Sequence, residues 1–275
     1  MAFLTSKTAA AIAVSLVLTA CGTQQTTTTG SAVGVERKQT FSISSEAINS
    51  QAAQSYAEMV AQARTKGVLN KDAALTARVR GIANRLIVKA PALRADSKSW
   101  AWEVNVFADN EINAFCFPGG KIGVYSGLIS RLNLTDDEIA QVMGHEIAHA
   151  LREHTREQQS REQGVSLVSG LIGAVGEAYG LSKAGQIASV GADLGFNLPF
   201  SRAHETEADQ LGIELAARAG YNPDASVTLW DKMQRVEGGE IPQILSTHPN
   251  SGNRQASLRV LAEKVRPLYL AAKKK

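Results

Sequence analysis

Apolar residues recur at three- and four-residue steps over Ser44–Lys66 and again over Lys71–Lys89, and that period predicts two Ala-rich helices. Pro91 opens a loop over Ala90–Ser97, because a proline cannot continue a helix. From Trp100 the pattern changes to strict alternation. Trp100, Trp102, Val104 and Val106 fall on one face and Ala101, Glu103 and Asn105 on the other, which predicts a half-buried strand. Ile112–Phe117 and Lys121–Tyr125 are two further strand segments, joined through Pro118-Gly119-Gly120, whose glycines supply the positive φ of a tight hairpin. The sheet is expected to be small and antiparallel.

Helical spacing returns with Thr135-Asp136-Asp137-Glu138, a capping box followed by Ile139, Val142, Met143 and Ile147. Gly164–Gly195 is Gly- and Ala-rich but contains Glu177, Lys183 and Asp193, so it reads as an amphipathic insertion or flap rather than a spanning helix. A helix over Ala203–Ala219 ends at Gly220. Asn222-Pro223 signals the start of another, and the last runs over Gly252–Val265. The fold class expected is α+β, mainly helical, with a small antiparallel sheet packed on the helix that follows it. Residues 41–275 form a single domain in this reading.

The N-terminus follows other rules. Lys7 precedes an apolar run, Ala9–Ala20, too short to cross a bilayer stably. Residues 1–20 therefore read as a secretory signal, closing at Leu18-Thr19-Ala20-Cys21. That ending resembles the lipobox of bacterial lipoproteins, in which the cysteine is lipidated; Gly22 after it, by the same resemblance, favours an outer-membrane anchor facing the periplasm. Residues 21–40 are polar and Thr-rich and read as a flexible tether. The 275-residue chain has a formal charge of +3 and no dense basic stripe with interleaved aromatics, so a nucleic-acid partner is not expected. With only two cysteines, Cys21 and Cys116, and the first assigned to lipid, a disulfide scaffold is excluded and Cys116 reads as a buried thiol.

Histidine is scarce, five in all, and two fall in His145-Glu146-Ile147-Ala148-His149. On a helix, positions i and i+4 share a face, so both imidazoles reach one metal ion. Glu146, about 100° round the helix, stands beside that ion as a general base toward water. A polar triplet among Met143, Gly144, Ile147, Ala148 and Ala150 is costly on a buried helix unless it has partners. Zinc, one ion per chain, needs a third protein ligand. Candidates lie in Ser201-Arg202-Ala203-His204-Glu205-Thr206-Glu207-Ala208-Asp209, where Glu205 and Asp209 share a face. Spacing alone does not choose among Glu205, Glu207 and His204. His154, about 140° from His149 on a continuous helix, reads as a surface or supporting residue.

Asn113-Ala114-Phe115…Pro118-Gly119-Gly120, His145-Glu146-x-x-His149, Ser201-Arg202-x-x-Glu205-x-Glu207-Ala208-Asp209 and Ser246-Thr247-His248-Pro249…Arg254 occur in one chain. Together they resemble the zinc metallopeptidase family that includes HtpX, the CaaX prenyl proteases and the periplasmic proteases BepA and LoiP. The resemblance spans roughly Ser55 to Leu261 and implies a gluzincin-like metallopeptidase. It implies that Glu205 is the third zinc ligand beside His145 and His149, and that Asp209 is a supporting carboxylate. It maps a catalytic role to His248 and Arg254, His248 either donating to the oxyanion or occupying the fourth zinc position at rest. Arg254 reads equally well as an ion-pairing residue. The transmembrane helices of HtpX and the helical repeats of BepA are not seen, so substrates acquired through those parts are not carried over. The substrates implied are unfolded or misassembled cell-envelope proteins, bound as an added strand along Lys121–Tyr125 or its hairpin partner.

Overall fold

The structure is a computed structural model that describes residues 22–28, 30–164, 199–236, 242–248 and 253–274. The expected signal with Cys21, and nearly all of the expected Gly-rich insertion, lie outside the described residues. The two first helices form where periodicity placed them. Helix α1 (Ser45–Thr65) is capped by Ser44, whose side chain accepts from the Ala47 N–H. Helix α2 (Ala73–Ile87) is capped in the same way by Asp72. The Ala90–Ser97 loop is drawn into two short 3₁₀ turns, Ala90–Ala92 and Ala95–Ser99.

Strands β3 (Glu103–Phe107), β4 (Ala114–Phe117) and β5 (Lys121–Tyr125) form one sheet in the order β3-β5-β4. The hairpin is antiparallel with Ala114 opposite Val124, and Gly119 and Gly120 have φ of 77° and 83°. β3, however, runs parallel to β5, so the sheet is mixed rather than wholly antiparallel. Alternation divides its side chains. Val104, Val106, Ala114, Cys116, Ile122 and Val124 join the main core, while Phe107 and Phe117 join Tyr56 and Val60 under α1. Gly123 leaves room for the Phe115 and Phe107 rings; a Cβ there would fall 2.2 Å from Phe115.

After the short helix α3 (Ser126–Arg131), α4 (Asp136–Leu151) starts with the expected capping box between Thr135 and Glu138. It is buried from Glu138 to Leu151. Helix α5 (Arg202–Arg218) crosses it, ending before Gly220 at φ 79°. The crossing is glycine on glycine: a Cβ on Gly144 would meet Gly212 O at 2.7 Å, and one on Gly212 would meet His145 N at 2.7 Å. That backbone contact brings the first turns of α5 over the middle of α4. Helix α6 (Ala225–Gln234) starts two residues later than Asn222-Pro223 suggested, because the Asn222 side chain accepts from the Asp224 N–H in a turn outside the helix. A short helix α7 (Gln243–Thr247) leads to His248, and α8 (Arg254–Lys273) continues through Pro267, beyond the expected end at Val265. Leu268 and Tyr269 pack against the core past that proline, which offsets the lost hydrogen bond.

The stretch expected to be a flexible tether is laid along the domain instead. Strands β1 (Gly22–Gln24) and β2 (Gln39–Phe41) pair antiparallel. Between them Val33 and Val35 are buried, Thr28 N–H donates to Leu93 O (2.8 Å), and Ser31 donates to the buried Glu214 (2.7 Å). A polar segment without a core of its own thus acquires one by capping polar groups of the domain. Among the described residues no helix is long and apolar enough to cross a membrane.

Candidate metal centre and catalytic cleft

His145, Glu146 and His149 project from the buried middle of α4, and all three are buried. The Gly144–Gly212 crossing presents Glu205, two turns before Gly212 on α5, to both imidazoles. Glu205 lies 3.5 Å from His145 Nε2 and 3.4 Å from His149 Nε2. The two Nε2 atoms are 3.1 Å apart. His248 Nδ1 completes the group, 3.3 Å from His145 Nε2 and 2.9 Å from Glu205 Oε1. An ion bonded at ~2.0–2.1 Å spaces tetrahedral donors roughly 3.3 Å apart, so this donor set fits a small divalent cation. The ligand atoms of His145, His149, Glu205 and His248 all lie within 4.8 Å of one another. Glu205 Oε2 is buried and accepts no hydrogen bond, which leaves a lone pair for such an ion.

Charge at the centre is unusual. Burial opposes ionisation of Glu205, but the imidazoles of His145, His149 and His248 outweigh it and hold the carboxyl well below the usual carboxylate range. Burial likewise opposes a proton on His145; the Asp209 and Glu205 carboxylates overcome it and raise the imidazole to about 9. Burial pushes His149 well below its ordinary value and keeps it neutral. Glu146 is raised by burial. Its Oε1 has no hydrogen-bond partner, with His248 Nε2 at 3.5 Å. A carboxylate so placed takes and returns a proton readily.

Around the donors the two histidines of α4 are braced differently. Asp209 Oδ1 lies 3.0 Å from His145 Nδ1 and accepts from Arg254 Nη2 at 2.6 Å. Arg254 Nη2 also lies 3.2 Å from Glu205, and its guanidinium sits 3.4 Å from the Trp230 ring centroid. Asp209 and Arg254 therefore stand behind the donors, outside the open cleft. Of the three α5 candidates, Glu205 faces the imidazoles. Glu207 and His204 lie on another side, Glu207 against His154 and His204 against Glu157. His154, read as a surface or supporting residue, is fully buried, with Nδ1 2.9 Å from His149 Nδ1. An angle of about 140° between His149 and His154 holds only for a continuous helix; the chain instead turns at Glu153, whose φ of 51° brings His154 back toward His149.

The site opens into a cleft of about 240 Å³ lined by Glu146, His149, His248, Phe115, Phe200 and the β4 backbone. Phe200 stacks on His149, ring centroids 4.1 Å apart, and its N–H donates to Thr247 O. Cys116, on this wall, is buried and its thiol is raised well above its ordinary value by burial, as an inert core thiol should be.

A histidine pair one turn apart, a buried carboxylate between them and a glutamate from a crossing helix are the parts of a metallopeptidase. Residues 73–262 match the model of Peptidase family M48. Over 155 residues the chain is 37% identical to the mitochondrial metalloendopeptidase OMA1 of Schizosaccharomyces pombe, covering 56% of this chain and 44% of that protein. It is 31% identical to the beta-barrel assembly-enhancing protease of Escherichia coli over 219 residues, 77% of this chain and 44% of that protein. It is 28% identical to the metalloprotease LoiP of Escherichia coli over 249 residues, 90% of this chain and 93% of that protein. The chain spans only a third to a half of the length of the mitochondrial relatives it matches. It belongs to peptidase family M48.

Proposed function

We propose that the protein is a zinc-dependent endopeptidase acting on unfolded or misassembled proteins of the bacterial cell envelope. The observation that carries this is Glu146, a buried carboxylate with an unpartnered oxygen, on one wall of a cleft whose other wall is an edge strand. Zinc held by His145, His149 and Glu205 would acidify water and polarise the scissile carbonyl. Glu146 takes the water proton and returns it to the leaving amine. Asp209 and Arg254 hold His145 and Glu205 in place. β5 is paired on both sides, so the substrate strand adds to β4, at the edge of the sheet. Its backbone bonds there are independent of sequence, which suits unfolded segments. The test is cleavage of an unfolded protein by the zinc-loaded chain: Glu146→Gln should lose activity by at least about 10²-fold, at the lower end of general-base contributions. A Glu146→Gln protein as fast as wild type would sink the proposal.

A second reading has its own support. His248 Nδ1 sits among the donors as closely as any of them, and four protein ligands make a closed site. A latched, chaperone-like protein with little turnover would look like this. In the same assay His248→Ala decides: faster cleavage identifies a latch, slower cleavage an oxyanion donor. The envelope location rests on the sequence pattern at Cys21, and we propose a lipid anchor there, in the outer membrane facing the periplasm.

A further inference from the structure

His149 is held from behind by a bridge that ends on the N-terminal segment. Its Nδ1 lies 2.9 Å from His154 Nδ1. Two ring nitrogens at that distance share one hydrogen. For His149 to offer a lone pair on Nε2 toward the donors, its Nδ1 must carry the hydrogen and His154 Nδ1 must accept. His154 then carries its own hydrogen on Nε2, which points at Glu207 Oε2, 3.0 Å away. Glu207, an acceptor only, is met by two guanidinium groups. Arg152 Nε donates at 2.9 Å from a wholly buried side chain, and Arg37 Nε donates at 2.6 Å. With one hydrogen on each ring, a single arrangement satisfies this whole line, and it is the one that leaves His149 ready to bind a cation.

Two further features show that the bridge is built rather than incidental. The backbone accepts a left-handed residue at Glu153, φ 51°, to aim His154 inward, a conformation that non-glycine residues avoid unless their surroundings hold them in it. Glu153 is held there by Ser45, Arg156 and Arg94. Arg37 belongs to the segment between β1 and β2 and is fixed by more than Glu207. It makes a paired contact with Glu157, and its carbonyl accepts from Arg152 Nη2.

We infer that His154 is a positioning residue for His149, and that Arg37 is the outer end of the same bridge, so that docking of residues 30–41 sets how tightly the centre holds its metal. This rests on the metal centre proposed above. Partners that orient a ligating histidine commonly change metal affinity 10–100-fold when removed.

The experiment uses the full chain and measures its zinc dissociation constant by competition with a chromophoric chelator, together with the melting temperature of the chelator-stripped protein. His154→Phe should weaken zinc binding on the order of 10–100-fold. His154→Gln, whose amide can accept and donate across nearly the same span as the ring, should recover most of that loss. Arg37→Ala, at a side chain already 36% exposed, should fold and bind zinc several-fold more weakly, since it acts through Glu207 and His154. A purely structural role predicts lower melting temperatures with unchanged zinc constants. Arg37→Ala or His154→Phe within twofold of wild type would overturn the inference, as would His154→Gln binding no better than His154→Phe. Failure of wild type itself to bind one zinc would overturn the metal centre and the bridge with it, an outcome the wild-type titration reads separately.

Discussion

Glu157 carries three partners on one carboxylate, Arg37, Gln39 and His204, and each acts on its charge. Burial pushes its pKa up, but the hydrogen bonds from Arg37, His204 and Gln39 outweigh burial and hold it well below the usual carboxylate range. The sign of the pH effect follows. In the unfolded chain the group titrates near its ordinary value of 4.5, while in the native protein it stays ionised to lower pH. Its contribution is complete above that ordinary value and is lost as pH falls through it toward the native value. Glu138 behaves alike: burial raises it, and Lys232 with the Thr135 cap lowers it further than burial lifts it. Melting temperature should fall between about pH 5 and pH 3, and the fall should be shallower in Glu157→Gln, where no proton is taken up at that position. Parallel curves for the two proteins in thermal melts would show that Glu157 holds no such charge.

At the scale of elements, the crossing of α4 and α5 decides where Glu205 stands. Gly212→Ala puts a methyl 2.7 Å from His145 N and 2.8 Å from His145 Cα, where backbone rather than a flexible side chain must move. Overpacking of this kind costs about 1–3 kcal/mol, and it acts on the residue that carries a metal donor. Gly212→Ala should therefore melt several degrees lower and bind zinc more weakly. Gly81→Ala, on the exposed face of α2 with open space around the new methyl, should gain about 0.5–1 kcal/mol instead. A Gly212→Ala protein as stable as wild type would mean that the helices tolerate separation. The same crossing shows why part of the fold was legible and part was not. Periodicity located α1, α2, α4 and α5, and the Thr135–Glu138 box and Gly220 gave their ends, because caps and amphipathic faces are local signals. The parallel pairing of β3, the contact of Gly144 with Gly212 and the return of His154 to His149 join residues distant in sequence or turned by one strained backbone angle, and no spacing encodes them. In the candidate site, the i,i+4 spacing of His145 and His149 was self-evident, whereas the choice of Glu205 over Glu207 and His204 needed the direction in which α5 crosses.

For the whole molecule, the N-terminal segment changes what an anchor at Cys21 would mean. A free Thr-rich tether over residues 21–40 would let the domain range a few nanometres from a bilayer, but β1 begins at Gly22 and the chain is docked through Thr28 and again from Ser31 to Phe41. If Cys21 carries the proposed acyl chain, little chain separates the lipid from the docked β1, and the β1–β2 side of the domain would lie near the membrane surface. Arg37 lies on that same segment, so the proposed attachment and the metal centre would share one stretch of backbone. Among the described residues no helix is able to span a bilayer, so under the proposed anchor the lipid would be what holds the chain to a membrane. Cys21→Ser expressed in a two-membrane bacterium should leave the membrane pellet for the soluble periplasmic fraction, while keeping its cleavage of a soluble unfolded protein within about twofold, since the metal donors are carried by α4, α5 and His248. Wild-type chain should resist a high-salt wash, because each buried CH₂ of an acyl chain adds about 0.8 kcal/mol that ionic strength does not screen. A Cys21→Ser protein that still pellets with washed membranes would remove the anchor from the account and leave the basic residues of the surface, or a protein partner, to explain the attachment.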